Sequence, residues 1–240
     1  MVKPYFSAAT FDFLDELEHR NNRDWFLEHK PVYELELKAR MLAVIESINE
    51  SMADFASEYI RPPNKTMLRI YRDVRFAKDK TPYKTQLSAF WPRQGLEKVG
   101  GAGYFLQVGV HGVMIAGGAY NPQPPQLKAI RDHVMDHHAH LQSMLAEPAI
   151  IALAEPFGGN KLIRPPRGFP LEHPARDLLL NRSWALISHL PGDVALTENF
   201  TELVVERFRA FAPVMDYLNT AIASATPLEQ EADSGRRRVV

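Results

Sequence analysis

The sequence predicts an α+β protein, in which a central antiparallel sheet carries long amphipathic helices packed on it. Two observations indicate this class. Helical patterns occupy both ends of the chain, and strand patterns with alternating apolar residues lie between them. Strands also do not alternate regularly with helices, which argues against a doubly wound parallel sheet. We expect a single α+β domain over residues 1–225 and a frayed polar tail over residues 226–240.

Three helices are expected before residue 60. Residues 7–20 form the first, with Ser7 or Thr10 as its N-cap, and residues 22–29 form a short second helix. Pro31 can occupy the first turn of a long third helix. The apolar residues of this third helix recur with a period of 3.6: Leu37, Met41, Val44, Ile45, Ile48, Met52 and Phe55.

The middle of the chain predicts a β-hairpin. Apolar residues alternate with others over residues 104–110 and 113–119, and the glycines between them allow the chain to turn back. The remaining elements are expected in this order: strands at 66–71 and 85–91, helices at 125–145 and 148–155, a strand at 161–164, a short helix beginning at Pro174, a strand at 184–189, and a helix at 197–224 that Pro213 should kink or divide.

Composition excludes several classes of protein. The chain has 240 residues, a formal net charge of −1 and no cysteine, so it forms no disulfide, thiolate nucleophile or cysteine-based metal site. The charge gives no overall attraction to nucleic acid. No apolar stretch reaches the length of a membrane span, and no signal peptide is recognised. We therefore expect a cytoplasmic protein without membrane contact.

Residues 69–84 are the most informative part of the sequence. Six cations and two carboxylates give this segment a local charge of +4, and three aromatic residues lie among them. Guanidinium groups bind phosphates and carboxylates through paired hydrogen bonds, so we expect an anion site here. Such a site would suit either an enzyme or a binding protein. The expected anion-binding residues are Arg69, Arg72, Asp73, Arg75, Lys78, Asp79, Lys80, Tyr83 and Lys84.

Within this hypothesis the ligand is a small molecule bearing a phosphate or carboxylate. Asp73 or Asp79 would orient the cations, and Tyr83 or Tyr120 would be the proton donor. Two alternatives stay open. The segment could form a surface patch through which a non-enzymatic module meets an acidic protein or nucleic acid, or Asp73 and Asp79 could pair with the arginines in a structural network.

Several runs of this sequence resemble a known family. These are the runs 21–26, 69–84 and 117–120, and the pattern around Arg164, Pro166, Gly168-Phe169 and His173-Pro174. Together they are similar to the signatures of the domain of unknown function 2461 family, over about residues 5–222. The family has no established activity, substrate or cofactor, so the resemblance implies one full-length domain and no mechanism.

Other candidate residues are fewer. His133, His137 and His140 can share one face of a helix, but they lack a complete ligand set, so we interpret them as a solvated polar face and predict no metal site. No cofactor is predicted. Residues that could also line the anion site are Arg23, Gly117, Gly118 and Tyr120; at the paired glycines a ligand could approach the backbone, or a β-bulge could form. The sequence leaves the oligomeric state open.

Overall fold

An antiparallel sheet forms the centre of the fold, which the computed structural model describes over residues 5–97 and 100–224. Its strands follow one another in the order of the chain: β1 (Gln86–Pro92), β2 (Gly103–Gly109), β3 (Gly112–Ala119) and β4 (Trp184–Leu190). The predicted α+β class is confirmed. The tail predicted over residues 226–240 lies outside the described residues, and the single domain over 1–225 stays a prediction.

The N-terminal part of the chain is helical, as predicted. Its elements are α1 (Ala8–His19), α2 (Arg23–Glu28), α3 (Lys30–Val32), a π-helical segment (Tyr33–Lys38), α4 (Ala39–Met52), a 3-10 turn (Ser57–Tyr59) and α5 (Pro63–Thr66). Asn22 caps α2 by accepting a hydrogen bond from the backbone N–H of Trp25 at 3.0 Å. The segment from α3 to α4, residues 30–52, is one continuous helix that we call the helical rod. It corresponds to the long third helix that was predicted to begin near Pro31.

The second half of the chain supplies the helices that cover the sheet. They are α6 (Pro124–Leu145), α7 (Pro148–Leu153), α8 (Arg176–Leu179), a 3-10 turn (Gly192–Leu196) and α9 (Phe200–Ser224). Helix α9 lies on β3 and packs against α4 and α6. It continues through Pro213, so of the two predicted effects of this proline the division is wrong, and the kink stays a prediction. Among the described helices, none has the length and apolar character needed to cross a bilayer.

Only one face of the sheet is covered by α9. Alternate strand residues, including Trp91, Tyr104, Ile115 and Trp184, are buried in this direction and form the core with α4 and α9. The side chains of Trp184, Trp25 and Phe26 are also buried in the core. The opposite face of the sheet is partly open to solvent.

Two predicted strands are wrong. Residues 66–71 and 161–164 form only isolated bridges. These join Met67 to Ala89, Tyr71 to Tyr83, and Lys161 to Asn181. Residues 67 and 68 run beside β1, where Leu68 N–H donates to the carbonyl of Ser88 at 2.8 Å, whereas residues 161 and 162 run beside the segment that precedes β4, where Leu162 N–H donates to the carbonyl of Leu180 at 2.7 Å. Each segment pairs with its neighbour at too few positions to form a strand.

Candidate functional site

Residues 69–84 fold back on themselves, and we call this segment the basic hairpin. Arg72 N–H donates to the carbonyl of Pro82 at 2.9 Å, and Lys84 N–H donates to the carbonyl of Ile70 at 2.8 Å. A bridge between Tyr71 and Tyr83 lies between these hydrogen bonds. The backbone of the hairpin is therefore fixed at its base, and the residues between form a long exposed tip.

Helix α2 holds the hairpin in place. The ring of Phe26 stacks on Tyr83 with centroids 4.0 Å apart, and it also contacts the ring of Tyr71. The Asn21 side chain donates to the carbonyl of Tyr83 at 3.0 Å and accepts from its N–H at 3.1 Å. The run 21–26 and the basic hairpin thus form one structural unit, in which the first run positions the second.

Both carboxylates of the hairpin are already bonded. Arg72 donates to Asp79 and to the hydroxyl of Thr81, and Arg75 donates to Asp73 at 2.7 Å. The Thr81 N–H, followed by Arg72, lowers the pKa of Asp79 to about 2, and hydrogen bonds from Arg75 lower the pKa of Asp73. These ion pairs are largely exposed, so they contribute little to stability.

Four cations of the hairpin lack such a partner. Among the described residues, no carboxylate forms an ion pair with Arg69, Lys78, Lys80 or Lys84. Lys80 instead donates to the carbonyl of Val74 at 2.9 Å. Burial, and then the positive charge of Arg69, lower the pKa of Lys84. Two of these four cations, Arg69 and Lys84, lie at the base of the hairpin.

The first cavity at the hairpin lies between it and the long helical rod, and we call it the helix-side cavity. It has a volume of about 310 Å³ and is lined by three cations, Lys30, Lys38 and Arg69, with one carboxylate, Glu34. Lys38 pairs with Glu34 at 2.7 Å, whereas Lys30, like Arg69, has no ion-pair partner in the described part of the chain. The lining carries a formal charge of +2, which favours an anion.

The rest of the helix-side cavity combines tyrosines with apolar side chains. Tyr33 and Tyr71 line it, and burial, followed by the charge of Glu34, raises the pKa of Tyr33 to about 12. The Tyr33 phenol is therefore protonated at neutral pH and can donate a hydrogen bond. Tyr33 also begins the π-helical segment, and such segments occur frequently at functional sites.

A second cavity, of about 440 Å³, lies on the other side of the hairpin, and we call it the opposite cavity. It is lined by Arg72 and Lys84 together with the carboxylates Asp79 and Glu18, so its formal charge is zero. Tyr83 also lines it, although its ring is buried against Phe26. Because the carboxylates balance the cations, this cavity is less suited to an anion than the helix-side cavity.

The predicted site residues are therefore not brought together in one place. Asp73, Arg75, Lys78 and Lys80 line neither cavity and lie in the tip of the hairpin, next to Phe76, whose side chain is 95% exposed. Arg23 lines neither cavity either, although its charge acts on the Tyr83 phenol and offsets part of the rise in its pKa that burial causes.

The paired glycines serve packing within the chain. A side chain at Gly117 would lie 3.2 Å from Phe211 and Met215 of α9, and a Cβ at Gly118 would lie 2.2 Å from the carbonyl oxygen of Trp184. The strand pairing is continuous through both residues, so the expected bulge is wrong. Tyr120 is exposed and lines an apolar groove on the open face of the sheet, away from both cavities at the hairpin.

The histidines form a separate cluster on α6. His133 contacts the rings of His137 and Tyr217, in each case with centroids 4.5 Å apart, and burial lowers its pKa. The face is thus partly packed against α9 and only partly solvated, which corrects the interpretation from the sequence. No group of three or more potential metal ligands occurs in the described residues, and the absence of a metal stays a prediction.

Sequence reasoning missed the contribution of the helical rod. Lys30, Glu34 and Lys38 recur every four residues, and Tyr33 lies three residues after Lys30, which places these side chains near one another along one side of the helix. That spacing was a usable signal for a shared face. The spacing does not show that this helix face lines a cavity together with Arg69, because Lys30 and Arg69 are about forty positions apart in the sequence.

The protein has an α+β fold, and its basic hairpin forms one wall of the helix-side cavity, whose lining carries a net positive charge. The family model of the conserved hypothetical protein family DUF2461 matches residues 9–217, so the chain belongs to this family. The resemblance stated from the sequence is confirmed. No curated protein and no solved structure matches the chain.

Proposed function

We propose that this protein binds a small molecule bearing a phosphate or carboxylate group in the helix-side cavity. The observation that carries the proposal is the pair of cations Arg69 and Lys30, which line the same concave surface without an ion-pair partner in the described residues. An anion between them would supply the missing negative charge. Concavity favours a small molecule over a macromolecule, which would need a broad surface.

The roles of the other residues follow from their positions in the cavity. Arg69 offers a planar guanidinium that can bind two oxygens at once, and Lys30 adds a point charge. Tyr33 is protonated at neutral pH and supplies a neutral hydrogen-bond donor. Lys38 is already engaged by Glu34, so its contribution to the anion is the smaller of the two lysines.

Thermal unfolding in phosphate and in chloride, at equal ionic strength, tests this proposal. A ligand that binds only the folded state raises the Tm by an amount that grows with the logarithm of its concentration relative to Kd, so phosphate should give the larger Tm. Arg69→Gln should remove the difference. Arg75→Gln is the matched control: it makes the same substitution in the same hairpin, but Arg75 lines neither cavity.

A second pair of variants locates the anion. Lys30→Gln should weaken the response to phosphate, whereas Lys78→Gln, which removes the same charge from the exposed tip, should leave it intact. Loss of the response in Lys84→Gln, with Arg69→Gln unaffected, would move the anion to the opposite cavity. Equal Tm shifts in the wild type and in all variants would indicate general salting-out and would contradict the proposal.

One observation favours a second candidate function. The tip of the hairpin presents Phe76, with Arg75 5.9 Å from its ring centroid, next to the exposed cations Lys78 and Lys80. An exposed aromatic ring among cations suits an acidic protein or a nucleic acid strand. In that case Phe76→Ala and Lys78→Gln would abolish binding of the partner, and Arg69→Gln would not.

The proposal includes a cytoplasmic location, which cell fractionation would test, and requires no cofactor. A catalytic step is not part of it. If the cavity is an active site, Tyr33 is better placed than Tyr83 or Tyr120 to donate a proton to a bound anion, because Tyr33 lines the cavity next to Arg69.

A further inference from the structure

The open face of the sheet carries an apolar groove that the anion site does not explain. It has a volume of about 440 Å³, and its main side chains lie in one row across the strands. Phe90 of β1 is opposite Phe105 of β2, which is opposite Ala116 of β3, which is opposite Ile187 of β4. An apolar surface this continuous on the solvent side of a sheet indicates a binding surface.

Small residues give the groove its depth. Gly103, Gly118 and Ala185 are opposite one another in the next row of the sheet, and all three line the groove. A Cβ at Gly103 would lie 2.6 Å from the ring of Phe90, so the ring occupies the space above that glycine. The low part of the floor therefore lies at Gly118 and Ala185 and not at Gly103.

The groove and the helix-side cavity share a wall. Leu68 lines both of them, and the next residue along the chain is Arg69. Leu68 N–H is bonded to the carbonyl of Ser88 in β1, which fixes this wall against the edge of the sheet. Leu68 is thus a residue that the lining of the apolar groove shares with the lining of the cationic cavity.

We infer that the ligand is an amphiphilic anion, whose apolar tail lies in the groove and whose phosphate or carboxylate binds Arg69 and Lys30. This inference rests on the proposed function and specifies its ligand class. The cationic cavity selects the charged end, and the groove, lined by Phe, Met, Ala and Ile side chains, selects the tail. The groove is a concave space of limited volume, so the occupant is a single dissolved molecule and not a bilayer surface.

Calorimetric titration with methyl phosphate and with decyl phosphate, below its micelle concentration, tests the inference. The two probes have the same head and differ in the tail. Burial of as few as two methylene groups gives about a tenfold gain in affinity, so decyl phosphate should bind the wild type at least about tenfold more tightly. Equal affinities, both lost in Arg69→Gln, would overturn the inference while leaving the anion site in place.

Variants that fill the groove separate the tail from the head. Ala116→Phe should reduce the affinity for decyl phosphate to near that for methyl phosphate, without changing methyl phosphate binding. Ala139→Phe, at an exposed position of α6, is the control for an added ring. If Ala116→Phe does not fold, Ile187→Thr, which retains the β-branched shape, should give a smaller loss in the same direction.

The remaining outcomes also decide the question. Tight decyl phosphate binding that Ala116→Phe and Ile187→Thr leave unchanged would place the tail elsewhere and overturn the inference. Binding to vesicles of anionic phospholipid without binding of dissolved decyl phosphate would do the same, as would self-association through the groove that excludes decyl phosphate. Binding of neither phosphate by the wild type would contradict the proposed function itself.

Discussion

Replacing Phe26 should detach the basic hairpin from the helical layer. The ring is fully buried and contacts four other rings, those of Phe13, Tyr33, Tyr71 and Tyr83. Phe→Ala changes at buried positions cost about 3–5 kcal/mol, because transfer energy is lost and a cavity forms. Against a typical total of about 5–15 kcal/mol, Phe26→Ala therefore removes a large share of the stability.

A milder variant keeps the test informative if Phe26→Ala does not fold. Phe26→Leu retains most of the volume but loses the ring–ring contacts, so it should cost about 1–3 kcal/mol. The control is Phe76→Ala, since Phe76 lies in the same hairpin with its side chain almost fully exposed and should change stability by less than about 0.5 kcal/mol.

Urea unfolding measures these costs, and amide hydrogen exchange tests where they act. In Phe26→Leu the N–H groups of Arg72 and Lys84, which bond across the hairpin, should exchange faster than those in β2 and β3. A cost below about 1 kcal/mol for Phe26→Ala, or uniform acceleration of exchange throughout the sheet, would refute the view that Phe26 anchors the hairpin.

Three further outcomes are expected. Gly118→Ala should destabilise by more than about 2 kcal/mol, since the Cβ would meet the Trp184 carbonyl in addition to the strain of a φ of +152°. A cost no larger than that of Gly168→Ala, where φ is also positive at +90° but the space is open, would contradict this. Burial, followed by the charge of Glu58, raises the pKa of Asp216. The folded state therefore binds this proton more tightly than the unfolded state does, and stability falls as the pH rises above about 4. Asp216→Asn should stabilise the protein at about pH 7 and not at about pH 3, as urea unfolding at both pH values would show. Elemental analysis of untagged protein should find less than about a tenth of an equivalent of zinc, nickel or iron, and stoichiometric metal lost in His133→Ala would disprove this.

Local sequence determined most of the secondary structure. The period of 3.6 in the long helices and the alternation in β2 and β3 are properties of neighbouring residues, so the pattern alone predicted those elements. The Asn22 cap of α2 is likewise a local contact, since it joins residues three positions apart. Residues 66–71 were predicted wrongly because a strand also needs a partner in continuous register, and that depends on the chain outside the segment.

The basic hairpin shows the same division between sequence and tertiary structure. Its composition identified it as a concentration of positive charge, and the pairing of Asp73 with Arg75 joins residues only two positions apart. The sequence did not indicate which cations would stay unpaired at a cavity. That depended on the fold, which makes Arg69 and Lys30 line one cavity although they are far apart in the sequence, because charge compensation is decided by groups that are close in space.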